Sequence, residues 1–287
     1  METHPPTREL RGQLDALLRL IDGRPFAALT GAGCSTASGI PDYRGPETRR
    51  KARNPVQARE FAGSAEARQR YWARAVVGWW RFASKEPNAA HHAFVRMEQA
   101  GLQGVITQNV DRLHHRAGSR DVVELHGALA EVRCLSCPAV VSREAVQARF
   151  AALNPGFGAR FEKLAEMAPD GDAELPAEVI RDFKVAPCER CGGALKPNVV
   201  FFGEGVPKAT TEAAWSIFDR GESLLVAGSS LAVFSGYRFV REAGKRGIPV
   251  AIVTLGETRG DDLATLRVQT RVEEIFPALA DALVGAR

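Results

Sequence analysis

The sequence lacks any apolar run near the roughly 18 residues that a membrane-spanning helix needs. It also lacks a basic start followed by a long apolar stretch, so no signal peptide is visible. No dense tract of lysine and arginine with interleaved aromatic residues appears, which disfavours a nucleic-acid groove. Internal repeats and low-complexity tracts are not found. We therefore expect a cytoplasmic protein with no nucleic-acid or membrane partner.

The composition of the chain is that of an ordinary globular enzyme. Of the 287 residues, 45% are hydrophobic and 25% are charged, and the net charge of +4 is typical of a solvated surface. This length allows one large domain, or a core domain with a small accessory one.

Cysteine is scarce, and its placement is informative. Four of the five cysteines form two pairs of the type Cys-x-x-Cys, Cys134 with Cys137 and Cys188 with Cys191, and only Cys34 stands alone. Two such pairs are typical of a tetrahedral zinc site, and four thiolates leave no position open for water. We therefore predict a structural Zn²⁺ ion. The alternatives are two redox-active pairs or unpaired buried thiols.

Short apolar runs alternate with helical stretches, which predicts an α/β fold with a doubly wound, parallel sheet. The predicted strands are 26–30, 105–108, 122–125, 199–202, 223–227 and 248–255. The predicted helices include an amphipathic one near the start, 88–100, the stretch after Pro207, and 237–246.

Two regions interrupt this alternation. Residues 131–196 open and close with a cysteine pair, which predicts a small zinc-binding module inserted between residues 1–130 and 197–287 of the main domain. Residues 45–80 carry no strand signal and predict a helical lobe.

A glycine-rich turn follows the first predicted strand. In the segment 28–36, Gly31 and Gly33 would let backbone N–H groups approach a pyrophosphate. Thr36 stands where a third glycine is usual, and no acidic ribose ligand closes a second strand about 20 residues on. Taken alone, this segment is equally consistent with a dinucleotide-binding turn and with a tight turn before a helix that binds no ligand.

Polar residues also follow other predicted strands. The loop 39–44 places an acid and a base beside the glycine turn, while 107–114 supplies amide and carboxylate groups suited to ribose hydroxyls. His126 and the segment 228–230 likewise come at strand ends. A single histidine more often satisfies a local hydrogen bond, so His126 is notable only because it follows the 107–114 loop.

Together these motifs resemble the sirtuin family, and they occur in that family's order over nearly the whole chain. The matching segments are 31–44, 107–111, 124–127, the two cysteine pairs, 196–204 and 228–230. Within the family the sequence is most similar to class II, the mitochondrial lipoamidase-like branch. The closer match lies in 68–74, 153–155, 168–172, 235–239 and 261–264.

The resemblance implies NAD as co-substrate and assigns roles to matching positions. His126 would be the general base, with Asn109 also in the catalytic group. NAD contacts would come from Gly31, Ala32, Gly33, Ser35, Asp42, Tyr43, Arg44, Gln108, Asn109, Asp111, Gly228, Ser229 and Ser230. The acyl-lysine substrate would pair with the backbone of Val199, Val200, Phe201, Phe202 and Gly203 as an added strand.

At the adenine end the sequence departs from the family pattern. Thr254, Leu255 and Gly256, which would also contact NAD, replace the Asn-led adenine loop, and Val272 stands where a Cys or similar residue often closes the pocket. Both departures weaken the adenine assignments and leave the catalytic ones intact.

The implied activity is NAD-dependent deacylation of protein lysine. The products would be free lysine, nicotinamide and O-acyl-ADP-ribose. Protein mono-ADP-ribosylation at the same site is the alternative enzyme activity. A zinc-stapled, NAD-sensing binding module and an ordinary dehydrogenase are further alternatives. Oligomeric state is left open.

The acyl group is also left open. Tyr71 and Arg74 resemble the pair that grips acidic acyl groups in the desuccinylase branch. The aromatic residues nearby, Trp72, Trp79, Trp80 and Phe82, instead suggest a long or apolar acyl chain or simply pack into the core. We expect a non-acetyl group to be preferred.

Overall fold

The computed structural model describes residues 8–21, 23–43, 56–161 and 175–285. The strands of these residues are β1 (Phe26–Thr30), β2 (Leu102–Thr107), β3 (Val122–Glu124), β4 (Gly127–Cys134), β5 (Val140–Ser142), β6 (Leu195–Val199), β7 (Ser223–Ala227), β8 (Val250–Val253) and β9 (Leu266–Val268). The α-helices are α1 (Arg8–Ile21), α2 (Ala58–Gly63), α3 (Ala65–Ala83), α4 (Ala89–Met97), α5 (Leu113–Ala117), α6 (Arg143–Leu153), α7 (Phe157–Phe161), α8 (Ala177–Ile180), α9 (Lys208–Asp219), α10 (Phe234–Arg246) and α11 (Val272–Gly285).

Six strands form one parallel sheet in the order β3-β2-β1-β7-β8-β9. Every residue of β1, β7 and β8 is buried, as a sheet covered on both faces requires. The strand order reverses between β1 and β7, where open α/β sheets bind ligands beyond their carboxyl ends. The predicted α/β, doubly wound fold is confirmed.

Helices cover both faces of this sheet. On one face, α1, α4 and α11 contribute Leu17, Phe94 and Phe276 to a buried apolar cluster. On the other, α9 and α10 contribute Ile217 and Phe239. Apolar burial on both sides holds the strand ends that form the site in fixed positions.

A second, antiparallel sheet has the order β5-β4-β6. The prediction of a strand over 199–202 in the central sheet is wrong, because β6 ends at Val199 and pairs with β4. The apolar run misled because Phe202 forms only an isolated bridge, to Gln57. This small sheet begins at Gly127, four residues before the predicted start of the zinc module.

Two further differences concern short elements. No α-helix follows the glycine turn in the described residues up to Tyr43. Two 3₁₀ turns, Ala32–Cys34 and Thr36–Ser38, stand there instead, and the second ends at Gly39 in a left-handed conformation, φ 78°. The strand β9, Leu266–Val268, is not among the predicted strands. In the described residues no helix is long and apolar enough to cross a membrane.

The glycine turn packs directly on the loop after β7. Gly33 donates its backbone N–H to the carbonyl of Gly228 at 2.8 Å. Gly228 adopts φ 62°, and a Cβ atom there would lie 2.3 Å from the backbone nitrogen of Cys34. Only glycine allows the two loops to approach this closely.

Gly228→Ala should therefore lower the free energy of unfolding by about 2–4 kcal/mol, through left-handed strain and the backbone clash. Urea unfolding measures the change. Gly12→Ala is the matched control, since Gly12 lies in α1 with nothing within 4 Å of the added Cβ. That control should raise stability by about 0.5–1 kcal/mol. Equal stabilities for Gly228→Ala and wild type would contradict the close approach.

Candidate active site

Gln108 joins the ends of several strands at the point where the sheet order reverses. Its backbone N–H donates to the carbonyl of Thr30, the last residue of β1, at 3.0 Å. Its side-chain Oε1 accepts from Ser229 Oγ, just after β7, at 2.7 Å. Its carbonyl oxygen lies 2.9 Å from His126 Nδ1. One residue thus sets the spacing of three polar strand ends.

A chain of hydrogen bonds connects the 107–114 loop to the glycine turn. Buried Asn109 donates from Nδ2 to the carbonyl of Gly31 and to Ser35 Oγ, both at 3.0 Å. Ser35 Oγ in turn donates to Asp111 Oδ2 at 2.6 Å. Burial raises the pKa of Asp111, although the bond from Ser35 opposes the shift. The two loops are therefore held together by polar side chains that the sequence placed 74 to 78 positions apart.

His126 lies two residues beyond β3, between Gln108 and the start of α10. A carbonyl oxygen only accepts, so Nδ1 carries the proton that bonds to Gln108. The neutral ring then has its lone pair on Nε2, which lies 2.7 Å from Ser235 Oγ. Burial lowers the pKa of His126, and the bond to the Gln108 carbonyl opposes this. A neutral imidazole with a defined tautomer is what a general base needs.

The other predicted NAD contacts that the structure describes lie in the glycine turn, in the segment after it and in the loop after β7. Gly31, Ala32 and Gly33 face the loop 228–230, where Gly228 and Ser229 lie within 3 Å of a Cβ built on Gly31. Asp42 and Tyr43 lie just beyond the second 3₁₀ turn, half-buried and exposed respectively, while Arg44 lies outside the described residues.

The predicted adenine segment follows β8. Thr254 and Gly256 each give a backbone carbonyl to Arg267, while Leu255 is exposed. Val272 is buried at the start of α11 and belongs to the apolar cluster beneath the sheet. Among these described residues, we identify no side chain that would recognise the adenine base.

The segment 199–203 leaves the edge strand of the small sheet. The carboxylate of Glu204 accepts from buried Lys196 at 2.9 Å and from the backbone N–H of Phe201 at 2.8 Å. The backbone N–H of Val200 bonds to the carbonyl of His126 at 2.9 Å. Phe202 pairs with residues 56–58. An added peptide strand must therefore use other backbone groups of this segment or displace 56–58.

Tyr71 packs beside this segment. Its ring lies 5.4 Å from that of Phe61 and 5.5 Å from that of Phe201, in edge-on geometry. Arg74 is half-buried one turn further along α3.

The neighbouring aromatic residues do not share one role. Trp72, Trp79 and Phe82 are buried, and Trp72 donates to the carbonyl of Leu195 at 3.1 Å. For these three, packing into the core explains the pattern. Trp80 instead is 59% exposed.

The four paired cysteines converge at one end of the small sheet. Their sulfur atoms lie within 4.8 Å of one another, with Cys134 and Cys191 at 3.5 Å and Cys137 and Cys188 at 3.8 Å. Zinc–sulfur bonds of 2.3 Å in a tetrahedron place sulfurs roughly 3.8 Å apart. The backbone N–H of Ser136, 3.3 Å from Cys134 Sγ, lowers the pKa of Cys134 from its ordinary value. The four thiols therefore fit a structural Zn²⁺ ion.

A second group of possible ligands in the described residues is Cys34, His91 and His114, all buried. The backbone N–H of Asn88 donates to His91 Nδ1 at 3.3 Å, so the neutral His91 ring carries its proton on Nε2. Nε2 is buried without a hydrogen-bond partner and, because it carries the proton, offers no lone pair to a metal. We assign no metal to this group.

Several residues of the site escaped the sequence interpretation. Ser235 contacts His126, and Lys196 with Glu204 holds the segment 199–203. Arg112 adopts φ 64° and forms ion pairs with Glu124 and Glu131, which connect the two sheets. Each lies inside or beside a recognised motif, but its role depends on a partner that only the fold supplies.

The Sir2 family model matches residues 31–235 of the chain. The chain therefore belongs to the Sir2 family, and the sirtuin resemblance is confirmed at that level. A relative in Mycobacterium avium, "NAD-dependent protein deacetylase 1", is 51% identical over 274 residues, which cover 95% of this chain and 96% of the relative. The Drosophila melanogaster "NAD-dependent protein deacylase Sirt4" is 47% identical over 257 residues, covering 88% and 81%.

Solved structures give the same assignment. "Structure of Sir2Tm bound to a propionylated peptide" is 30% identical, with a TM-score of 0.72, and the match covers 94% of this chain and 98% of that one. "Sir2-p53 peptide-NAD+" is also 30% identical, with a TM-score of 0.69 over 99% and 100% of the two chains.

Cys188→Ser should remove the metal and unfold the small sheet, because the free energy of binding structural zinc is folding free energy. Elemental analysis should find one equivalent of zinc in the wild type and almost none in the variant. Cys34→Ala is the matched control and should keep its zinc, since Cys34 lies in the other sheet's core. A Cys188→Ser protein that stays folded and active without metal would show that the site is not structural.

Proposed function

We propose that this chain is an NAD-dependent protein-lysine deacylase that releases nicotinamide, free lysine and O-acyl-ADP-ribose. The observation that carries the proposal is His126, which is neutral, has its tautomer defined by the Gln108 carbonyl, and lies beyond the carboxyl end of β3, beside the loop that follows β2. Membership of the Sir2 family and the activities named for its relatives support it. The proposed domain division keeps residues 131–196 as the zinc-binding module, away from the chemistry.

The donor set at this edge fits NAD. Hydroxyl groups of Ser35 and Ser229, the amide of Asn109 and the carboxylate of Asp111 lie around the glycine turn. Such groups match ribose hydroxyls and phosphates. When bound, NAD supplies the ribose carbon to which the acyl oxygen bonds as nicotinamide leaves.

The protein's own groups then orient and deprotonate. Asn109 and Asp111, coupled through Ser35, hold the nicotinamide ribose and its neighbouring water. His126 Nε2 accepts the ribose hydroxyl proton that must leave before the ribose oxygen attacks the acyl carbon. The segment 199–203 would pair with the substrate backbone. The ion pair between Lys196 and Glu204 fixes the position of this segment, because Glu204 also accepts from the backbone N–H of Phe201.

His126→Ala should lower the rate of deacylation by at least about 100-fold, since a general base contributes roughly 10²–10⁴ in rate. The measurement is mass spectrometry of an acyl-lysine peptide incubated with NAD, which follows free lysine and acyl-ADP-ribose together. Zinc content and thermal melting should match the wild type, because His126 lies outside the zinc site.

His92→Ala is the matched control, since His92 is an exposed histidine on α4 and should leave the rate unchanged. If the wild type consumes NAD without acyl peptide and labels protein with ADP-ribose, the enzyme is a transferase and the proposal fails.

We also propose that the chain resembles the lipoamidase-like class II branch and prefers an acyl group larger than acetyl. The similarity to the Drosophila Sirt4 deacylase supports this. Within the site, Tyr71 and Arg74 lie one helical turn apart on α3, and Tyr71 packs against Phe201 of the substrate segment. These contacts support a pocket in which the Tyr71 ring and the Arg74 cation would lie beside the acyl-lysine.

A panel of acetyl, glutaryl and lipoyl peptides tests this preference. Wild-type kcat/KM should be at least about tenfold higher on one of the two larger groups, because a larger acyl group would contact Tyr71 or Arg74. Arg74→Met should reduce glutaryl turnover by about tenfold or more, because it removes one charge-assisted bond to the distal carboxylate. Lipoyl turnover should stay within about twofold of wild type. Trp80→Ala, at an exposed position of the same helix, is the control. Fastest turnover of acetyl-lysine would exclude the preference.

A further inference from the structure

A buried hydroxyl occupies the position at which the proposed base must work. Ser235 is 7% exposed and is the second residue of α10. Its Oγ lies 2.7 Å from His126 Nε2. Because Nδ1 holds the ring's proton, Nε2 offers a lone pair and Ser235 donates to it. The serine thus contacts the atom that would accept the ribose proton.

The start of α10 is packed so that this contact can form. A Cβ atom on Gly236 would lie 2.6 Å from the side-chain amide of Gln108, so a larger residue there would displace that amide. Gln108 also gives its carbonyl to His126. The pair Ser235–Gly236 therefore packs on both members of the Gln108–His126 hydrogen bond. The imidazole is held from both nitrogens, by one carbonyl and one hydroxyl.

We propose that Ser235 is a positioning residue for His126, which holds the imidazole plane and keeps Nε2 directed to the substrate side until the ribose hydroxyl takes the serine's place. The proposal rests on the proposed function, since it assumes that His126 removes a ribose proton. The ribose hydroxyl can replace the Ser235 hydroxyl at Nε2, because the serine O–H rotates without moving the helix. Two-sided restraint of the ring keeps its geometry productive without permanently blocking it.

The order of the two chemical steps supplies a test that a merely structural role would not satisfy. Nicotinamide leaves before His126 acts, so exchange of labelled nicotinamide into NAD reports the first step alone. Formation of acyl-ADP-ribose reports both steps. A residue that positions only the base should affect the second measurement and spare the first.

Ser235→Ala should lower the rate of acyl-ADP-ribose formation by about tenfold, a part of the general-base contribution, with nicotinamide exchange within about twofold of wild type. Ser235→Thr, which retains the hydroxyl, should recover most of the rate. Ser216→Ala is the matched control. Ser216 is an exposed serine on α9 whose hydroxyl accepts a hydrogen bond from Arg220 at 3.3 Å, and its replacement should change neither rate. Thermal melting and zinc content confirm that each variant is folded.

Product formation by Ser235→Ala within about twofold of wild type would overturn the proposal. Equal losses of exchange and product formation would also overturn it, since they indicate a general structural defect. Failure of the proposed function is distinguishable, because it appears in the wild type as absence of acyl-ADP-ribose, or in His126→Ala as undiminished turnover. Neither result depends on Ser235.

Discussion

The hydrogen bond between the Gln108 carbonyl and His126 Nδ1, 2.9 Å long, is the contact on which the site depends. It determines which ring nitrogen carries the proton and therefore which one can act as a base. The same residue bonds to Thr30 through its backbone N–H and to Ser229 through its side chain. Thr30 ends β1, Ser229 follows β7 and His126 follows β3. The parallel sheet thus positions Gln108, and through it sets the tautomer of His126.

The sheet supplies this arrangement because its strand order reverses between β1 and β7. The loops after these strands pack together through Gly33 and Gly228, while the Asn109–Ser35–Asp111 chain fastens the loop after β2 to the same turn. The zinc cluster contributes at a distance. It closes the small sheet whose edge strand β6 continues into the segment 199–203, and the backbone of Val200 reaches back to the carbonyl of His126. The zinc-binding cysteines and His126 lie apart, and β6 with the segment that follows it connects them.

Much of this was predictable from the sequence, for identifiable physical reasons. Buried parallel strands leave continuous apolar runs, and two Cys-x-x-Cys pairs leave a spacing that few other structures require. The strand order and the existence of β9 left no such signal. The run 199–202 was misread because a short apolar stretch does not reveal its pairing partner. Ser235 was not singled out, since one serine before a glycine acquires meaning only when the fold places His126 beside it.

The most direct test of this account is a ¹⁵N NMR titration of His126 in protein labelled at histidine nitrogens, assigned with the His126→Ala variant. The neutral ring should carry its proton on Nδ1. Burial lowers the pKa of His126 from the ordinary 6.5, so the midpoint of the titration should fall below that value and the base should stay neutral at pH 7. A neutral ring protonated on Nε2, or a midpoint above 6.5, would contradict it.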